Sequence, residues 1–173
     1  MEAHKKIILK NKLVTNQISS EWSKNRYLLP IPKDRLKEYG VKNSAAHIGN
    51  LSNSIDFTVA EGTEVYAAAD GVVVEIKDDS NVGGGDPKYW NDGNYIIIRH
   101  ENEEYTQYEH LKFKGVLVNV GEKVKQGQLI GYSGNTGYSH YPHLHFEVQK
   151  YFSKDDYVTL KARLKNFENP YSK

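Results

Sequence analysis

The chain contains no cysteine, which excludes disulfides, thiolate metal ligands and a cysteine nucleophile. Any metal it holds must be bound by nitrogen and oxygen. Neither sign of charge is in excess: 23 Lys and Arg stand against 22 Asp and Glu, a formal net charge of +1 over 173 residues. A nucleic-acid binder held by phosphate contacts needs a basic surplus to release counterions, so that class is set aside. A mild basic tint near residues 161–165 reads as a solvated face. No run of 18 or more apolar residues occurs, so no transmembrane segment is expected. After Met1-Glu2-Ala3-His4-Lys5-Lys6 only four apolar or aliphatic-stemmed positions precede Asn11. That is too short for a secretory signal core. The protein either acts where it is made, has had a leader removed, or leaves by another route. No sequence feature bears on oligomeric state, which stays unknown at this point.

What is present points to β-structure. Thirteen Tyr, fourteen Gly and short β-branched runs favour strands and tight turns, and the length suits one domain with its own core. Residues 1–45 read as an irregular lead-in broken by Pro30 and Pro32, with a helical turn around Asp34 to Tyr39. Strands are predicted at Ile55–Val59, Glu64–Ala68, Gly71–Lys77, Asn94–His100 and Glu104–Leu111, the last two joined by a hairpin turn at Glu101-Asn102-Glu103. Between Asp78 and Asn94 turn formers dominate a loop long enough to be functional. In it Tyr89 and Trp90 either wall a substrate groove or pin the loop down. The segment Gly62-Thr63-Glu64-Val65 leading to Asp70-Gly71-Val72-Val73 weakly resembles Gly121-Glu122-Lys123-Val124 leading to Ile130-Gly131-Tyr132. Such pairing suggests a small antiparallel sandwich or barrel. The tail from Tyr157 to Phe167 reads equally as an edge strand or a short helix.

The most informative segment is Pro142-His143-Leu144-His145-Phe146-Glu147-Val148. Side chains two apart on a strand face the same way. His143 and His145 therefore project together, with Glu147 continuing their side and Leu144, Phe146 and Val148 forming the apolar side. Alone, such a pair is as well explained by a half-exposed strand as by a site. Other groups tip the balance. Asp56 sits between Ile55 and Phe57, His47 lies nine residues before it, and His110 ends Tyr108-Glu109-His110-Leu111. Two His and one carboxylate make a common catalytic zinc set with a fourth position for water, and the remaining imidazoles are free for proton transfer. The helical HExxH arrangement is absent, so the site belongs to strands and loops.

Five segments occur in order: His47 with Ser54-Ile55-Asp56-Phe57; Glu61-Gly62-Thr63-Glu64-Val65-Tyr66-Ala67; Tyr108-Glu109-His110-Leu111; Gly131-Tyr132-Ser133-Gly134-Asn135-Thr136-Gly137-Tyr138-Ser139; and Pro142-His143-Leu144-His145-Phe146. Together, over roughly residues 45–150, they resemble the LytM/lysostaphin-type zinc endopeptidases of peptidase family M23. The resemblance implies a mainly β fold, a small antiparallel sandwich or barrel of the duplicated-hybrid-motif type. It divides the chain into an N-terminal extension, 1–45, and a metallopeptidase domain, 46–173. It places His47, Asp56 and His145 on one zinc ion per chain and makes His110 and His143 the catalytic histidines. It implies peptides of bacterial peptidoglycan, stem or cross-bridge, as substrate, and a secreted or cell-envelope location.

Two departures stand out. Many members carry the first His four residues before the Asp, where this chain has Ser52. The residue before Pro142, often a small Gly, is Tyr141, preceded by His140. Bulky groups there narrow the groove. His140 itself is read as an exposed loop residue or a substrate contact. His100 is expected to support a turn, His4 to lie on the surface, and Asn135 and Thr136 to shape the turn before the histidine strand. The Gly83-Gly84-Gly85 run lacks the Lys-Ser/Thr and helix start of a phosphate cradle. Two other classes compete with an active peptidase. A non-catalytic activator module of the same family would lack a ligand, and a His phosphocarrier of the same fold leaves Asp56 unexplained.

Overall fold

The structure is a computed structural model that describes residues 7–9, 12–14, 17–41, 46–153 and 156–172. His4 lies outside the described residues. Among them the regular elements are strands and short 3-10 turns. A small hairpin pairs β1 (Ile7–Leu9) with β2 (Lys12–Val14). The strands that follow are β3 (Trp22–Tyr27), β4 (Glu38–Gly40), β5 (Ile55–Thr58), β6 (Glu64–Tyr66), β7 (Gly71–Lys77) and β8 (Gly83–Gly84). The second half supplies β9 (Asn94–Arg99), β10 (Glu104–Val116), β11 (Lys123–Val124), β12 (Leu129–Ser133), β13 (Gly137–Tyr138), β14 (His143–Ser153) and β15 (Asp156–Leu164). Eleven of them form one curled sheet whose main path runs β11-β7-β9-β10-β14-β15-β3.

Strands change partners along their length, and this curls the sheet. The first half of β10 pairs with β9 and β14, whereas Leu111 and Val116 pair with β12. On the other flank of β14, His143–Phe146 pair with β5 and Val148–Ser153 with β15. The weak sequence repeat has a structural counterpart. The first strand of each copy pairs with the second strand of the other, β6 with β12 and β11 with β7. Both copies open on a glycine in the left-handed region, Gly62 at φ 83° and Gly121 at φ 88°, a conformation glycine adopts without a Cβ clash.

Parts of the lead-in are woven into this sheet. β3 runs parallel to β15, and β4 pairs with β5. The expected helical turn is a 3-10 turn at Lys33–Arg35, and residues 38–40 are strand. The tail resolves to a strand, and it lies between β14 and β3 instead of at an edge.

The core forms where apolar faces meet. Leu144, Phe146 and Val148 are fully buried, and the Phe146 ring lies 5.4 Å from Tyr108, 6.2 Å from Phe57 and 6.5 Å from Tyr27. His143, His145, Glu147 and Gln149 on the opposite side of β14 are buried as well. The alternation in this strand therefore separates an apolar core from a polar interior.

Candidate functional site

Strand register brings the predicted residues together. His145 lies directly across from Asp56 on β5 and from Glu109 on β10, so the two carboxylates and the imidazole share one face. Simple alternation would send His110 to the core side with Tyr108. Instead the ladder slips between Glu109 and Leu111, and His110 adopts φ 64°. Tyr108 and Leu111 are both fully buried core residues. The two residues between them are thus both delivered to the polar face, the re-aiming that a β-bulge performs. His47 arrives from a loop. The nine-residue interval to Asp56 is taken up by the 3-10 turn Gly49–Leu51 and by Asn53, whose side-chain amide donates to the carbonyls of Ser19 and Thr159.

Three donor atoms converge. His47 Nε2 lies 3.1 Å from Asp56 Oδ1, His145 Nδ1 lies 3.0 Å from the same oxygen, and the two nitrogens are 3.3 Å apart. The far ring nitrogens are committed as donors: His47 Nδ1 to the Val41 carbonyl at 2.5 Å, His145 Nε2 to Glu147 Oε2 at 3.3 Å. Neutral imidazoles so anchored aim lone pairs at an anionic oxygen, which is repulsive unless positive charge sits among them. A tetrahedral zinc ion with bonds of about 2.0 Å separates its ligands by about 3.3 Å. The residues present therefore fit a zinc ion. A second trio, His110, His143 and His145, also brings one ligand atom each within 4.8 Å, but it contains no carboxylate.

Electrostatics separate His145 from His110 and His143. Burial opposes ionisation of Asp56, yet the close approach of His145 and His47 holds it well below the usual carboxylate range. Burial likewise opposes a proton on His145, but Asp56 and Glu147 on either side outweigh it and lift the pKa to about 10. The convergence point demands positive charge, which a proton supplies to one donor and a divalent cation supplies to all three. His110 behaves oppositely. Burial, with the nearby His143 second, lowers it to about 3, and burial also lowers His143 against the pull of Asp56. Both are therefore neutral bases at pH 7. His110 Nδ1 donates to the Thr136 carbonyl at 2.7 Å and His143 Nδ1 to the Tyr141 carbonyl at 2.8 Å, leaving each Nε2 with its lone pair. Their ring centres are 4.7 Å apart, and His143 Nε2 is 3.5 Å from Asp56 Oδ1.

Aromatic rings cluster at the turn that precedes the histidine strand. Trp90 stacks on Tyr138 at 5.7 Å, Tyr138 meets His140 at 5.5 Å, and exposed Tyr141 lies 5.3 Å from His143. The Gly83–Gly85 run lets its loop press against the same turn. A Cβ at Gly83 would collide with the Asn135 carbonyl, and one at Gly85 with the His140 ring. His100 is buried, bonded to the Asp70 carbonyl and to Thr106 Oγ1. The orienting groups escaped sequence reasoning. Val41, Thr136 and Tyr141 act through backbone carbonyls, which carry no side-chain signal. Glu147 was visible on the histidine side of its strand but had no assigned task.

Comparisons with known proteins point to one family. The family described as Peptidase family M23 matches residues 50–159. An uncharacterized metalloprotease of Buchnera aphidicola is 41% identical over 147 residues, covering 85% of this chain and 32% of its own length. Peptidoglycan DD-endopeptidase ShyA of Vibrio cholerae is 43% identical over 96 residues, covering 56% of this chain and 20% of the relative. The chain thus spans a third or less of these curated relatives. Among solved structures, a zinc-containing peptidase from Vibrio cholerae superposes with a TM-score of 0.55 at 30% identity, covering 82% of this chain and 41% of the other. The catalytic domain of lysostaphin from Staphylococcus simulans does so with 0.51 at 33% identity, covering 70% and 84%. With the family match spanning well over half the chain and the motif residues gathered at one centre, this protein belongs to peptidase family M23.

Proposed function

We propose that this protein is a zinc-dependent endopeptidase that cuts peptide bonds of bacterial peptidoglycan, and that it acts in the cell envelope or outside the cell. The observation that carries the reading is the convergence of His47, Asp56 and His145 beside two neutral imidazoles, His110 and His143. His47 Nε2, Asp56 Oδ1 and His145 Nδ1 would hold one ion per chain. Zinc bound there lowers the pKa of water toward about 7 and polarises a carbonyl oxygen.

The chain's own residues supply the proton handling. His143 Nε2 and His110 Nε2 present lone pairs on rings 4.7 Å apart, each fixed by its Nδ1–H bond to a backbone carbonyl. Either can accept a proton from the attacking water. Once protonated, its Nε2–H becomes a donor, first to the developing oxyanion and then to the leaving nitrogen. The exposed ring of Tyr141 stands beside His143 and offers an apolar face to a peptide. The relatives named as acting on peptidoglycan include a DD-endopeptidase and the glycyl-glycine endopeptidase ALE-1, so stem-peptide cross-links and glycine bridges are the two bonds to compare. Digestion of purified sacculi carrying direct or glycine-bridged cross-links, with fragments read by mass, tests the proposal. The expected result is chelator-sensitive release of cleaved cross-links from one of the two. Intact sacculi of both kinds after treatment with zinc-loaded protein would overturn it.

A further inference from the structure

Glu147 is fully buried, two residues beyond His145 on the same face of β14. Its Oε2 accepts from His145 Nε2 at 3.3 Å and from the Ser54 hydroxyl at 2.7 Å. Its Oε1 accepts from the Gln149 amide at 2.5 Å and the Tyr157 hydroxyl at 3.4 Å. Ser54 stands two residues before Asp56, just ahead of β5, and β5 pairs with β14 in the register His145 opposite Asp56. The two facing strands thus each carry one proposed ligand, and two residues along each carries one member of a hydrogen-bonded pair. The pair lies behind the ligands and ties their strands together.

We infer that Ser54 and Glu147 are positioning residues for the metal, holding His145 so that Nδ1 faces the ion. Two physical arguments support this. First, a metal-bound imidazole has one free torsion about its ring, and an acceptor on the far nitrogen fixes both that torsion and the tautomer. Second, a dication with one Asp ligand leaves a net positive charge in a buried site, and the Glu147 carboxylate cancels it. The inference rests on the zinc-site reading proposed above.

The test measures zinc affinity of the full chain by competition with a chromogenic chelator, and the visible spectrum of the cobalt-substituted protein. Glu147→Ala is expected to bind zinc about 10–100-fold more weakly, and Glu147→Gln, which retains an acceptor but no charge, to fall between it and wild type. Ser54→Ala is expected to weaken zinc binding several-fold and alter the cobalt spectrum. Tyr157→Phe, which removes another bond to Glu147 without touching His145, is expected to match wild type. Wild-type affinity in Glu147→Ala, or an equal loss in Tyr157→Phe, overturns the inference. Should Glu147→Ala fail to fold, wild-type affinity and cobalt spectrum in both Glu147→Gln and Ser54→Ala overturn it. His145→Ala separates the two levels: if it binds zinc as wild type does, the proposed metal site itself is wrong and the inference falls with it.

Discussion

His143→Ala and His145→Ala, compared side by side, distinguish the two histidine groupings at the site. If the metal is held by His47, Asp56 and His145, His143→Ala leaves all three donors in place, with their mutual distances of 3.0–3.3 Å set by β5, β14 and the His47 loop. If it is held by His110, His143 and His145 instead, the same substitution removes a ligand. The variant should fold, because the Tyr141 carbonyl that His143 occupies also accepts from the Ser139 hydroxyl at 2.9 Å, and losing one buried hydrogen bond costs about 1–3 kcal/mol. Removing a general base lowers the rate by about 10²–10⁴, equivalent to about 2.7–5.4 kcal/mol of barrier. The assay is hydrolysis of a soluble peptidoglycan fragment at saturating zinc, with bound zinc counted by atomic emission. We expect His143→Ala to keep one zinc and lose 10²–10⁴ of kcat, and His145→Ala to lose the metal. Loss of zinc in His143→Ala, or full activity without His143, would refute the assignment.

Chelation should abolish activity and lower Tm, with zinc restoring both, since a ligand that binds only the folded state stabilises it by mass action; an unchanged melting curve on zinc addition contradicts the site. His110 makes a pH prediction. Its folded pKa of about 3 lies below the unfolded value of about 6.5, so the unfolded chain binds the extra proton as pH falls. Stability from this group is present above pH 6.5 and is lost toward pH 3, at up to about 1.4 kcal/mol per pH unit. Urea titrations should show His110→Gln losing less stability than wild type over that interval; parallel curves would contradict it. Phe146→Ala removes a ring packed among Tyr108, Phe57 and Tyr27, and should cost about 3–5 kcal/mol in chemical denaturation. A cost under about 1 kcal/mol would mean that the core is not centred there.

Much of the sheet was legible because it is built from β-branched runs. Ile96, Ile97 and Ile98 are buried on a central strand, and burial of both its faces explains why the run does not alternate. The two-residue spacing also placed His143, His145 and Glu147 on one face before any fold was known. Other features depend on partners distant in sequence. Nothing local distinguishes the tail as strand or helix; pairing with β14 and β3 decides it. The same holds for Trp22–Tyr27, where Glu104, far along the chain, accepts from the Asn25 backbone amide and the Tyr27 hydroxyl.

The sequence by itself determined which chemistry is available: four imidazoles and a carboxylate in a chain without thiols, two of the imidazoles bound to one strand face by the period of the backbone. Only the tertiary structure decided the surroundings of each ring. The bulge at His110 reverses the face that alternation assigns to it, and the turn after His47 folds a nine-residue interval into a 3.1 Å contact with Asp56. The acceptors that choose each ring's tautomer are the carbonyls of Val41, Thr136 and Tyr141 and the Glu147 carboxylate. A backbone carbonyl is the same in every residue, so its role exists only where the fold brings a ring against it.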